Sequence, residues 1–375
     1  MSTDLSARID KHFASLTDSR RGKVTYPLIN ILTIALCATI AGADDFVAIA
    51  DWARQKREWL GQFLDLSKGI PSHDRFNAIF RMLKPGPFER CLVSWITALH
   101  EVTAGQLVAI DGKTLRQSFD KAGAKSALHM VGAWAVASKI SLGQVAVAEK
   151  SNEITAIPKL LELLELAGAV VTIDAMGCQV EIARKIVEKK ADYVLPVKSN
   201  QPTLEAGIME YFLEHMEDDF ARVKVSRHET KEKGHGRQEH RTYYVCDAPE
   251  ELPDRGRWAG LKRIGMAISA TVRSGKPCDE VRIYIMSRKM NARDFGAAVR
   301  GHWGIENSLH WQLDMSFGED RSRVRKDHAD ANLAALRRMA LGLLKNEVSR
   351  KVGVKNKRLV AAWNTDYLRQ VLFGA

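Results

Sequence analysis

No stretch of the chain is long and apolar enough to read as a membrane-spanning helix. The nearest, Pro27 to Ala43, is uncharged but only seventeen residues long, and it carries Asn30, Thr33, Thr39 and Gly42. A span needs roughly 20 strongly apolar residues. The stretch starts too late for a secretory leader and leads into no small-residue cleavage pattern, so a buried helix is expected. Cysteine is sparse and unpatterned. The five, at positions 37, 91, 178, 246 and 278, include no CxxC pair and no Cys/His ligand spacing, which argues against structural zinc and a disulfide framework. Free thiols in a reducing cytoplasm follow. There is no HExxH sequence, no internal repeat and no low-complexity tract.

What is present is ordinary in bulk and unusual in charge. The chain has 375 residues, 46% hydrophobic and 27% charged, enough for two or three domains around a large core. Its net charge of +11 favours a polyanionic partner such as nucleic acid or an anionic membrane surface. The excess is concentrated: residues 321–375 hold thirteen Lys and Arg against four Asp and Glu, nine of the eleven surplus charges.

Hydrophobic spacing divides the chain. Residues 5–100 read as helical, with segments Leu28–Ile40, Phe46–Phe63, Ser72–Met82 and Phe88–Val102. Ser72 or Asp74 is placed to cap the third, and Pro85-Gly86-Pro87 to break the chain before the fourth. The tryptophans at 52, 59 and 95 are expected in the core. After Gly105 the pattern turns to strands: the run ending in Asp111, then Leu128–Ser138 and Gly143–Lys150, with connections short enough for an antiparallel meander. A helix (Ile154–Leu166), a strand ending in Asp174, a helix (Val180–Lys190), a strand (Ala191–Lys198) and a helix (Gln201–Met216) follow. The expected class is α+β, a mixed sheet flanked by helices. Residues 222–290 read as β-rich, with a turn at 234–237 and strands at Arg241–Val245 and Val281–Met286. From Asp294 to Lys345 a helical pattern returns.

Two stretches carry the chemistry. In Leu107-Val108-Ala109-Ile110-Asp111-Gly112 an apolar run delivers one carboxylate, and a glycine turns the backbone away. The same design recurs in Val170-Val171-Thr172-Ile173-Asp174. Buried strands ending in acids suggest carboxylates converging at one rim of a sheet. A third acid is offered by residues 300–314. On a helix Ile305, Leu309 and Leu313 form an apolar stripe, while His302, Glu306, His310 and Asp314 step along its shoulder at intervals of four. Gly304 there costs about 1 kcal/mol relative to Ala, which points to close packing or local distortion. His302 and Glu306 are also compatible with zinc, but an all-carboxylate set of Asp111, Asp174 and Glu306 is hard-oxygen chemistry suited to Mg²⁺ or Mn²⁺. Lys113, Lys198, Asn200 and Gln201 follow strand ends, where they either contact phosphates or are solvated loop polars.

Taken together, AIDGKTLRQS (109–118), TIDAMGCQVEIA (172–183), DYVLPVKSNQPTL (192–204), GHGRQEHR (234–241) and HWGIENSLHWQLDMSFGED (302–320) resemble DDE transposases of bacterial insertion sequences, in the group of H-repeat-associated proteins. KVTYPL (23–28) and GIPSHDRF (69–76) resemble the domain that precedes catalysis in that group. The resemblance implies a ribonuclease-H-like fold with Asp111, Asp174 and Glu306 as the catalytic, metal-holding triad. It also implies two Mg²⁺ (or Mn²⁺) ions, double-stranded DNA as partner, a homodimer in the active complex, and a bacterial cytoplasmic, nucleoid-associated location without membrane or small-molecule cofactor. The implied organisation is a helical domain over 1–103, a catalytic domain over 104–350 with a β-rich insertion at about 205–290, and a basic C-terminal segment over 351–375. The chain departs from the superfamily signature Tyr-x2-Arg-x3-Glu-x6-Lys, having Val299, His302, Glu306 and Leu313 at those positions. Arg300, His302 and His310 are candidate substitutes for the missing phosphate contacts. A structure-specific nuclease and a non-catalytic DNA-binding protein are the rival expectations; a zinc hydrolase using His302 and Glu306 is a third.

Overall fold

A computed structural model describes residues 10–22, 24–99, 105–120, 125–147, 151–234, 237–273 and 276–374. The chain forms two compact units. One comprises residues 1–102, 112–150 and 306–375, the other residues 103–111 and 151–305.

The first unit is mainly helical. Helix α1 (Leu28–Ile40) is the uncharged stretch, and every residue from Asn30 to Ile40 is buried. Two of its buried polar side chains are satisfied, Thr39 Oγ1 donating to the Ala35 carbonyl and Asn30 Nδ2 to that of Asp65, while Thr33 Oγ1 has no hydrogen-bond partner. Helix α2 (Phe46–Gln55) is capped by Asp45, which accepts from the Ala48 amide at 2.8 Å. It stops at Lys56 rather than running to Phe63; only one further turn, Arg57–Leu60, is helical. Helix α3 (His73–Met82) is capped by Ser72. Helix α4 (Pro85–Leu99) begins on Pro85 itself, so Pro85-Gly86-Pro87 starts this helix instead of preceding it. Proline suits a first turn, where the amide it lacks has no helical partner. The expected end of this helix, residues 100–102, lies outside the described residues.

Two strands in this unit, β2 (Leu128–Ala135) and β3 (Ile140–Ala146), pair antiparallel as expected, with an irregularity at Ala133/Trp134. Residues 148–150 of the expected second strand are not among those described. After Gly318, which adopts φ +60° and ends a helix, only the short 3₁₀ turn Glu319–Arg321 is helical before helix α10 (Ala329–Asn346). The long helix expected from Asp294 to Lys345 is therefore interrupted. Helix α10 packs against α1, α3, α4 and β3, and it is buried from Ala329 to Leu344. Asn332, fully buried, donates to the Phe80 and Leu83 carbonyls at 2.7 and 2.8 Å, and so satisfies the end of α3. The basic C-terminal stretch folds into two helices, α11 (Val354–Trp363) and α12 (Thr365–Phe373). Much of its charge is internal: Arg337, Arg338, Lys357 and Arg358 are all buried.

The second unit is built on a sheet. Strand β1 (Leu107–Leu115) contributes its first half. It pairs parallel with β4 (Val170–Ile173), which pairs parallel with β5 (Asp192–Val197). Helices α5 (Glu153–Leu163) and α6 (Val180–Glu188) form the crossovers. After α7 (Pro202–Glu217) come four long antiparallel strands: β6 (Val225–Gly234), β7 (Arg237–Asp247), β8 (Arg263–Arg273) and β9 (Lys276–Met286). Strand β9 pairs antiparallel with β5, so this meander continues the sheet in the order β1-β4-β5-β9-β8-β7-β6. Of the turn expected at 234–237, His235 and Gly236 fall outside the described residues. Helix α8 (Ala292–Ile305) lies on one sheet face. Phe295 and Ala298 pack with Val170, Val194, Tyr243, Tyr284 and Met286, and Gly296 admits the Tyr243 ring, since a Cβ there would come within 2.9 Å of it.

Candidate active site

The register of β1 on β4 decides where the first two acids lie. Leu107 pairs with Val170, Ala109 with Thr172 and Ile110 with Ile173. Asp111 and Asp174 are each the next residue, at one level on neighbouring parallel strands about 4.8 Å apart. Alternation turns Ile110 and Ile173, both buried, to one face, and the two aspartates to the other. Both aspartates are half-buried. The apolar runs thus hold the strands in the core and set the two carboxylates side by side. Strand β4 ends just before Asp174, as expected, but β1 runs on through Asp111, Gly112 and Lys113 to Leu115. The strand end and glycine turn expected at 111–112 are therefore not found, and Lys113 lies within a strand.

The loop around Asp174 is fixed from several sides. Its Oδ1 accepts from the Gly177 amide at 3.1 Å and caps the short turn Ala175–Gly177. Gly177 has no room for a side chain, because a Cβ would collide with Ile173. Asn200 Nδ2 donates to the Ala175 carbonyl at 2.9 Å and to that of Cys178 at 3.3 Å, and Gln201 Nε2 donates to Cys178 at 3.1 Å. Both amides therefore brace the turn that follows Asp174. Lys198, three residues before Gln201, is exposed.

His302 faces the same sheet rim. Its Nδ1 shares a hydrogen bond of 3.1 Å with Thr172 Oγ1, and Thr172 lies on the Asp174 face. Burial lowers the imidazole pKa, opposed by the nearby Asp174 charge and aided by Arg282. Arg300, two residues earlier, ion-pairs with Glu232 at 2.9 Å. The Arg282 guanidinium lies 4.6 Å from the Trp303 ring centre, and Trp303 is half exposed. Trp303 was foreseeable as a surface residue, because two residues on a helix are about 200° of rotation from Ile305.

Beyond Ile305 the helix changes hand-width. Glu306–His310 is a π-turn, followed by helix α9 (Trp311–Phe317). Of the two readings of Gly304, distortion is the one observed, since a Cβ there would meet nothing within 4 Å. Such single π-turns inside α-helices occur frequently at functional positions. Glu306 is exposed at the start of this turn, and the stripe of Ile305, Leu309 and Leu313 is buried.

Within the first unit Lys113 is buried, and its Nζ donates to both carboxylate oxygens of Asp314 at 2.7 Å, with Asp320 at 3.7 Å. It is committed to an internal ion pair. His310 is also enclosed; burial, with Arg338 and Lys113 adding, pushes its pKa down to about 3. It is a neutral imidazole at physiological pH.

Two carboxylates held at one level repel each other unless a cation or proton lies between them. Oxygen donors of this kind suit a divalent hard cation, so Asp111 and Asp174 fit a metal. Among the described residues no group of three or more His, Cys, Asp or Glu is assembled to hold one. No helix among them is long and apolar enough to cross a membrane.

Residues 103–343 match the family described as Transposase DDE domain, and residues 11–96 match DDE_Tnp_1-associated. The chain is 42% identical over 357 residues to an Escherichia coli O157:H7 protein named "Putative transposase YncI", covering 94% of this chain and 91% of that protein. It is 36% identical over 378 residues to the "H repeat-associated putative transposase YhhI" of Escherichia coli strain K12, covering 98% of each. Among solved structures, a piggyBac transposase synaptic complex with hairpin DNA aligns with 98% of this chain and 79% of that chain. The TM-score is 0.40 at 10% identity, too slight a likeness to speak for the fold.

Proposed function

The chain belongs to the family of DDE-domain transposases, and from that premise we propose that Asp111, Asp174 and Glu306 are its catalytic acids on a ribonuclease-H-like sheet. The protein is a transposase acting on DNA. The observation that carries the assignment is the β1/β4 register, which sets Asp111 beside Asp174. Glu306 follows His302 by one helical turn of sequence, and His302 is anchored on the sheet by Thr172. The three carboxylates would hold Mg²⁺ or Mn²⁺, two ions per site, whose charge activates an attacking hydroxyl and stabilises the leaving oxygen.

The chain's own groups do the positioning. Asn200 and Gln201 keep the 175–178 turn in place and so fix the Asp174 carboxylate. The His302 imidazole ties helix α8 to Thr172 on the Asp174 strand. The attacking groups are a water for first-strand cleavage and a DNA 3′-hydroxyl for joining, so no Ser or Tyr nucleophile is required. Lys198, and Arg300 beside its Glu232 partner, are the remaining phosphate-contact candidates near this sheet, and a homodimer would pair two element ends.

A strand-transfer assay separates this reading from a nuclease on the same fold. A pre-cleaved element end carrying a 3′-hydroxyl is expected to be joined to target plasmid in Mg²⁺, whereas a 3′-dideoxy end is not. Cleavage of intact flanks without any joining of the 3′-hydroxyl end would make the protein a nuclease.

A further inference from the structure

We propose that a cleft in the first unit, of about 750 Å³, seats the phosphodiester backbone of duplex DNA; this rests on the transposase reading, which supplies DNA as the ligand. The cleft is walled by the segment leading into α2, by residues 315–324, and by α10 and α11. It collects five cations: Arg321, Arg323, Arg337, Lys355 and Arg358.

The two acids in its lining are already engaged. Asp45 caps α2 through the Ala48 amide, and Asp44 Oδ1 accepts from Arg358 at 2.6 Å. Arg358 is held further by the Thr39 carbonyl at 2.9 Å and by the Phe317 ring at 4.1 Å. It is a fixed, satisfied part of the wall. Arg337 is also part of the wall. It is 2% exposed and donates Nη2 to the Asp44 carbonyl at 2.8 Å, and the buried Glu319 supplies the opposing charge.

At the mouth Arg321, Arg323 and Lys355 are exposed, and none of them has an ion-pair partner among the described residues. Arg321 and Arg323 flank the extended Ser322 and so sit about 7 Å apart along the chain, a spacing that suits successive phosphates of one strand. Val47, Met315 and Leu359 also line the cleft and are 52%, 56% and 42% exposed. Apolar surface beside free cations suits the sugars and base edges of a nucleotide chain better than a small inorganic anion. Charge and surface together favour DNA.

The test is equilibrium binding of the full chain to a fluorescent 40-base-pair duplex from the element end, titrated from 50 to 250 mM NaCl. Every measurement is made in EDTA, so failure of the catalytic reading leaves the outcome readable. The double variant Arg323→Ala/Lys355→Ala removes exposed side chains only. Its affinity is expected to fall on the order of tenfold, and the slope of log K against log salt to shrink by about 2. Lys84→Ala/Arg90→Ala, which removes two exposed cations outside the cleft, is expected to change neither by more than about a third of that. Unchanged affinity and slope in the cleft variant would overturn the proposal. So would equal losses in both pairs, which would mean that net charge alone sets binding. Thermal melting of each variant confirms that the fold compared is the same.

Discussion

At the scale of single residues the buried strands that carry Asp111 and Asp174 were legible and the partners of the residues around them were not. Val108-Ala109-Ile110 before Asp111 and Val171-Thr172-Ile173 before Asp174 read as buried strands, because short runs rich in β-branched residues suit a strand buried on both faces. Nothing local reveals that Lys113 pairs with Asp314, which lies 201 residues away, or that Asn200 and Gln201 turn back to brace the Ala175–Cys178 turn. Such partners come from the fold. His310 has a measurable consequence. Its folded pKa of about 3 lies below the ordinary 6.5, so between those values the unfolded chain takes up a proton that the folded chain refuses. Stability is therefore full above pH 6.5 and falls as pH drops from there toward 3, by about 1 kcal/mol per pH unit from this group. Urea midpoints of wild type and His310→Gln, measured from pH 7 to pH 4.5, should show the shallower decline in the variant. Parallel curves would contradict the buried neutral imidazole.

At the scale of elements, periodicity located most helices and strands but not the irregularities between them. The apolar stripe of Ile305, Leu309 and Leu313 is visible in sequence, yet the π-turn that carries it is not, because one extra residue in a turn hardly changes the apolar spacing. Proline at 85 and 87 misled because the same residue that breaks a helix interior is welcome in a first turn. Two glycines of helix α8 separate packing from propensity. Gly296→Ala would drive a Cβ against the rigid Tyr243 ring, and it is expected to cost about 1–3 kcal/mol despite the better helix propensity of alanine. Gly304→Ala meets nothing within 4 Å and should stabilise by up to about 1 kcal/mol. Chemical denaturation of both variants tests the contrast; a stabilised Gly296→Ala would contradict the packing of α8 on the sheet.

At the scale of the molecule, the surplus of +11 pointed correctly to a polyanion but not to where it binds. A count cannot distinguish Arg337, Arg338, Lys357 and Arg358, which are buried, from Arg321, Arg323 and Lys355, which face solvent. Of these, only the latter are accessible from solvent. The succession of strand, helix and strand from Asp174 to Lys198 was readable, since a parallel crossover announces itself that way; the pairing of β1 with β4 was not, because β2 and β3 intervene, nor was the continuation through β9 to β6, since β9 joins β5 after an excursion of more than seventy residues.

The most direct measurement is nicking of a supercoiled plasmid that carries the gene with its native flanking DNA. Wild type is compared with Asp111→Ala, Asp174→Ala and Glu306→Gln in Mg²⁺, in Mn²⁺ and in EDTA. Metal-dependent cuts at the element ends, reduced at least about a thousandfold by each of the three substitutions while DNA affinity in EDTA holds, are the expected result. Cutting that survives any one of the three substitutions would remove that residue from the triad, and DNA binding without cleavage by wild type would leave a non-catalytic binding protein.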